Sequence, residues 1–232
     1  MIRRQTVRRR EWWKKLKLDK MPAVLPRVPL KFLKSSHWDA QLCVMRADYR
    51  RMSGLGHIDV VELTSRFSAN VGACGYLQGY LYLIRTLTWV LGARQDVIYW
   101  AFVRVAHISR PYGPLGTEMK VRNKNVQFAV EQADQELDKD ILASMISVRW
   151  GFIMFAQTFV NREQLLCVWD FLLKDDYNIG CVMGALLKQI RFPEESDTMV
   201  RLSRTVDVVV EDANVTSEIL AVSAALILRV NQ

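Results

Sequence analysis

Long apolar runs are missing from this chain of 232 residues. A membrane helix needs roughly 20 predominantly apolar residues. The longest candidate, Ile219 to Leu228, falls well short and is interrupted by Ser223. The basic N-terminus is not followed by the apolar stretch of a secretory leader, so none is expected. Cysteine and histidine are sparse and scattered. Cys43, Cys74, Cys167 and Cys181 include no C-x-x-C pair, and His37, His57 and His107 are equally dispersed. This excludes a recognisable metal site or disulfide framework and fits mostly buried thiols in a reducing cytosol. There is no G-x-x-x-x-G-K-[ST] phosphate loop, no H-E-x-x-H and no G-x-S-x-G elbow, so neither nucleotide hydrolysis by the chain itself nor zinc or serine hydrolase chemistry is expected. No cofactor is implied.

Apolar side chains, by contrast, make up half the chain, with 7 Trp, 9 Phe and 7 Tyr among them. That is enough to build a sizeable interior. The net charge of +8 is uneven. Residues 1–34 hold twelve Lys and Arg against two acids, Glu11 and Asp19, while the remainder is nearly balanced. The basicity therefore belongs to an N-terminal arm, residues 1–29. It carries Arg3, Arg4, Arg8, Arg9, Arg10, Trp12, Trp13, Lys14 and Lys15 and is followed by Pro22, Pro26 and Pro29. Three prolines in eight residues make a stiff extended connector. Such an arm suits docking on an acidic surface such as tubulin or nucleic acid; its tryptophans also fit an interfacial membrane helix, and its arginines a targeting presequence. Removal of residues 1–20 is expected to abolish targeting and leave the helical body folded.

From residue 30 to 232 the periodicity is helical almost throughout, and the fold class expected is all-α. Leu42, Met45 and Tyr49 share one face. Ile58, Val61, Leu63 and Phe67 fit a second helix, and Leu81, Ile84, Leu87 and Leu91 a third. Val97 to Val105 is a fourth. Further helices are expected over Phe128–Leu137, Ile141–Phe155, Glu163–Leu173 and Gly180–Ile190. Pro111, Gly113, Pro114 and Gly116 mark a loop, Pro193 a break, and Val206 to Val210 an isolated short strand. Trp150, Phe152, Phe155 and Phe159 are expected in the core. Asp134, Glu136, Asp138 and Asp140 form an acidic run that fits a solvated face or a basic partner.

Two short features carry chemistry. In Met45-Arg46-Ala47-Asp48-Tyr49-Arg50-Arg51 the helical spacing makes Asp48 and Arg51 neighbours, so a carboxylate can aim a guanidinium. The same spacing also fits an ordinary surface ion pair. In Gly75-Tyr76-Leu77-Gln78-Gly79, flanking glycines let the backbone bring a glutamine close to a partner, and its carboxamide can both donate to and accept from a water. A solvated Gln in a turn at a helix start is the alternative.

In combination these motifs resemble the TBC domain family, whose pattern is I-x-x-D-x-x-R, then Y-x-Q-G, then an aromatic-rich helix pair ending in W-D. Here the first reads Met45, Asp48, Arg51 and the second Tyr76-Leu77-Gln78-Gly79. The third region runs from Arg149-Trp150-Gly151-Phe152 to Trp169-Asp170, and Val97 to Phe102 resembles the helix after the glutamine motif. The likeness covers about residues 30 to 200. It implies a multi-helix domain that stimulates GTP hydrolysis by a GTP-bound, Rab-like small GTPase. Arg51 would be an arginine finger and Gln78 a glutamine finger; Asp48 would orient Arg51, and Tyr76 and Gly79 would support the loop of Gln78. Tyr80, standing where the family has methionine, is expected to shape the surface beside Gln78. The alternative class is a non-catalytic scaffold of the same fold, docked through its basic arm in a large ciliary or microtubule-associated assembly. Either places the protein in the cytoplasm, on the cytoskeleton or cilium, or at a membrane surface.

Overall fold

The computed structural model describes residues 2–22, 24–28, 36–52, 55, 57–70, 76–113, 123–133, 138–159, 161–174, 178–189, 207 and 209–230. Among them the fold is all-α. The helices are α1 (Ile2–Lys15), α2 (Ser36–Arg51), α3 (Val60–Asn70), α4 (Tyr80–Leu91), α5 (Gln95–Ser109), α6 (Lys124–Glu131), α7 (Lys139–Ile146), α8 (Arg162–Leu172), α9 (Asn178–Gln189) and α10 (Ala213–Val230). None of the described helices is long and apolar enough to cross a membrane. The chain groups into two units, Met1–His107 and Ile108–Gln232. The expected division at residue 29/30 is not the one the packing draws, because α1 packs on α4 within the first unit.

In the first unit, α1 forms because fourteen residues pass without Gly or Pro and its last turn holds Lys14 and Lys15, favourable at a helix C-terminus. It ends where Lys17 turns left-handed at φ 53°. Charge dominates its composition, but Arg8, Trp12 and Leu16 recur every four residues, and all three are buried, as is Leu18. The arm expected to be separable from the helical body is thus a packed helix. The proline connector is tied to α3: Arg66 donates to the Pro26 carbonyl and Asn70 to that of Arg27. At the start of α3, Asp59 caps the helix by accepting from the Glu62 N–H at 2.9 Å. Gln95 in turn clamps the Asp59 backbone, accepting its N–H at 3.0 Å and donating to its carbonyl at 2.7 Å. On α4 the expected stripe Leu81, Ile84, Leu87 and Leu91 is buried. Tyr49 and Val61, expected on apolar faces, are exposed. Ile58 lies ahead of α3, so Val60, Leu63, Thr64 and Phe67 set that helix's inner face instead.

In the second unit the helix starts follow side-chain capping. Asn123 accepts from Asn125 N–H, Asp138 from those of Asp140 and Ile141, and Asn161 from that of Glu163. Asp138, from the expected acidic run, is therefore a cap; 134–137 lie outside the described residues. The helix expected to reach Phe155 stops being regular at Ile146. The chain widens into a π-type turn over Ser147–Phe152 and then takes left-handed conformations at Met154 (φ 48°) and Phe155 (φ 60°). A regular helix would point Trp150 and Phe152 about 200° apart; the irregular path buries Trp150, Phe152 and Phe155 together. Trp169 fastens it, its indole N–H donating to the Met154 carbonyl at 2.9 Å. Val210 makes one isolated parallel bridge with Phe159 rather than a strand.

Helix α9 packs between α6 and α10. Gly180 lets it approach α6 closely: a Cβ there would sit 2.6 Å from the Asn125 main-chain oxygen. Gly180→Ala is expected to lower stability by roughly 1–3 kcal/mol through overpacking against backbone, read as a fall in Tm by circular dichroism.

Candidate functional site

The expected motif residues sit in the first unit on two elements, the C-terminal end of α2 and the turn before α4. Arg51 ends α2. Its Nη2 donates to Asp48 Oδ1, and its Nε to the Ala47 carbonyl at 3.3 Å. The Arg51 side chain is 68% exposed while the Asp48 side chain is only 9% exposed. The carboxylate thus serves as a buried support for an outward guanidinium. Its second oxygen, Oδ2, accepts from the Tyr76 hydroxyl at 2.9 Å. Tyr76 is itself buried, and its backbone N–H donates to Gln41 Oε1 at 2.7 Å.

Two hydrogen bonds therefore fasten the Tyr76 segment to α2, seven residues apart at Gln41 and Asp48, on one face of the helix. Leu77 and Gln78 follow as a turn closed by the Tyr80 N–H on the Leu77 carbonyl at 3.1 Å. Gly79 takes φ 115° there, a conformation that side chains rarely adopt, and α4 begins at once. Gln78 is exposed, and its carboxamide makes no hydrogen bond among the described residues. The site thus presents a carboxamide with no partner among the described residues, two residues from Tyr76, and an outward guanidinium bonded to Asp48.

Tyr80 does not shape the surface beside Gln78. It is buried, its ring edge-on to Phe67 (5.4 Å between centroids), Phe102 (5.1 Å) and Tyr76 (6.2 Å). A large aromatic at the first position of α4 thus lies in the interior rather than on the surface. Its effect on the site is indirect: it supplies a wall for the ring of Tyr76.

Burial and the neighbouring Asp48 carboxylate push the Tyr76 phenol well above the ordinary tyrosine range. Burial also pushes Tyr99 up to about 12. A raised phenol pKa favours the folded state below the unfolded value of about 10, and that contribution fades as pH climbs past it. Stability is therefore expected to fall steadily above about pH 10, and Tyr76→Phe to flatten that slope in pH-dependent denaturant titrations. At neutral pH, Tyr76→Phe leaves one oxygen of a buried carboxylate without its donor, an expected loss of about 1–3 kcal/mol in the same titrations.

Of the expected docking residues, Arg9, Arg10, Lys14 and Lys15 are exposed on α1, as is Arg4, and Trp13 is half-buried. Arg8 and Trp12 are 5% and 1% exposed, so both belong to the interior and are closed to a partner. Helical packing, which carries every fourth residue inward, overrides their grouping with the surface cations. The side chain of Arg3 lies outside the described residues. Gln41 was not foreseen as a site residue, although its seven-residue spacing from Asp48 was available. No family model, no curated protein and no solved structure matches the chain.

Proposed function

We propose that this chain stimulates GTP hydrolysis on a Rab-like small GTPase, in the manner of the TBC domains it resembles. One observation supports the reading most. Asp48 and Tyr76, bonded to each other in the interior, support the residues that the motifs mark as fingers, and both fingers are exposed. Attack of water on the γ-phosphoryl group spreads negative charge over that group and its bridge oxygen. Arg51 supplies a cation there, held in direction by Asp48, and Gln78 orients the attacking water through its carboxamide. An arginine delivered in trans is worth about 10³–10⁵ in rate, or roughly 4–7 kcal/mol. Single-turnover hydrolysis against a panel of GTP-loaded Rab-type GTPases tests this. Failure to accelerate any of them would reject it.

A second reading is favoured by the outward cations of α1, which are set on a packed helix rather than a loose tail. In it the chain is a non-catalytic scaffold of a cytoplasmic, ciliary or microtubule-associated assembly, docked on an acidic partner such as tubulin. Stable co-sedimentation with microtubules, with no effect on GTPases, is the outcome that selects it.

A further inference from the structure

Tyr82, Arg85 and Trp89 lie along α4 at positions i, i+3 and i+7, one face of the helix. The Arg85 guanidinium carbon stands 5.3 Å from the centre of the Tyr82 ring and 4.8 Å from that of Trp89. The guanidinium is thus held between two aromatic rings, a geometry that fixes its plane. It is half-buried, and burial works against its charge. Yet among the described residues it forms no ion pair, and its buried Nε has no hydrogen-bond partner. Arg51, Arg66, Arg94 and Arg149 all face a carboxylate. A partly desolvated, aligned cation with no counter-ion among the described residues is the arrangement in which an incoming anion gains most.

The surroundings say which anion. Helix α1 packs on α4, and Gln5 donates to the Trp89 carbonyl at 3.5 Å. One helical turn further on, Arg9 is exposed on the same side of α1. We propose that Tyr82, Arg85 and Trp89, with the exposed Arg9 of the adjoining α1 adding positive charge, form a docking site for an acidic protein segment, with Arg85 receiving one of its carboxylates. Tyr, Trp and Arg are the residues that dominate protein–protein hot spots. Both rings already hold the guanidinium, which makes them poor stacking platforms for bases, and one half-buried fork matches a carboxylate better than a phosphate track. The site stands whether or not Arg51 and Gln78 act on a GTPase.

The test uses the full chain and a fluorescein-labelled peptide, Glu-Glu-Leu-Glu-Glu-Phe-Glu-Glu, read by anisotropy at low and physiological salt. The parent is expected to bind, Arg85→Gln to weaken binding about tenfold or more at both salts, and Arg9→Gln to weaken it about twofold and mainly at low salt. Arg85→Lys keeps the charge but loses the planar fork, and is expected to recover less than half of the lost affinity. If Arg85→Gln does not fold, a parent-like Kd for Arg85→Lys overturns the proposal. So does a parent that ignores the peptide, or Arg85→Gln binding as the parent does. A single-stranded oligonucleotide whose binding depends equally on Arg85 would overturn the protein-segment assignment in favour of nucleic acid.

Discussion

Arg51→Ala is expected to lower the stimulated single-turnover rate by about 10³-fold or more, with little change in GTPase affinity. The split follows from where the guanidinium acts. On the proposed mechanism it meets the charge that develops on the phosphoryl oxygens, so its loss is felt in the transition state rather than in the encounter complex. Arg51→Lys keeps the charge but cannot present a planar fork while also bonding Asp48, and is expected to restore only a small part. Gln78→Ala removes the group that positions water on the same mechanism, and misplacing a reactant costs roughly 10²-fold. The double substitution is expected to cost little more than Arg51→Ala alone, because groups acting on one transition state are not additive. Gln78→Ala should move Tm little because its side chain is exposed, whereas Arg51→Ala leaves Asp48 Oδ1 without its donor and is expected to cost about 1–3 kcal/mol, as Tyr76→Phe does. Stimulation that survives both substitutions would remove Arg51 and Gln78 from the mechanism.

The two halves of this site differ in how readable they are. Asp48 and Arg51 are three residues apart on a helix, so local geometry alone brings them together. The links from Asp48 and Gln41 to Tyr76 span 28 and 35 residues. Nothing in the motif Tyr76-Leu77-Gln78-Gly79 tells which partner its tyrosine hydroxyl takes, because that depends on how α4 lies against α2. The same divide runs through the fold. Leu81, Ile84, Leu87 and Leu91 repeat with the helical period and are buried as expected. Trp150, Phe152 and Phe155 are equally apolar, but their common burial is bought by a π-type turn and two left-handed residues, which periodicity cannot signal.

Arg85 shows a third kind of miss. Its spacing to Tyr82 and Trp89 was available in the sequence, but so is an Arg near aromatics on many helices. Only the ring distances and the lack of a carboxylate partner among the described residues separate it from a solvated arginine. The N-terminal cations dominate the charge pattern of the sequence, whereas the proposed anion receptor lies on α4, whose single charged residue is Arg85. The exposed cations of α1 would then act as steering charges for such a partner, a role that changes association rate and salt dependence more than final affinity.

Removal of residues 2–20 is expected to do more than detach a docking arm: it should abolish cooperative folding of the first unit. Trp12, Leu16 and Leu18 are each no more than 2% exposed, and Arg8 is 5% exposed beside them on the inner face of α1. Truncating a buried tryptophan to alanine costs about 3–5 kcal/mol. Domain stability is only about 5–15 kcal/mol, so Trp12→Ala alone should leave a small margin, and loss of the whole helix would uncover the α4 surface it covers. Lys14→Gln with Lys15→Gln should change stability by no more than about 0.5 kcal/mol, since both side chains are exposed. Urea titrations followed by circular dichroism separate the two faces of α1. If α1 were only a charged appendage, the truncated chain would unfold with the parent's midpoint and slope, and the lysine pair would matter as much as the tryptophan. The burial of Trp12 requires the opposite order. It also means that a targeting defect after truncation would say nothing about the cations unless the Lys14 and Lys15 variants, which keep the helix, reproduce it.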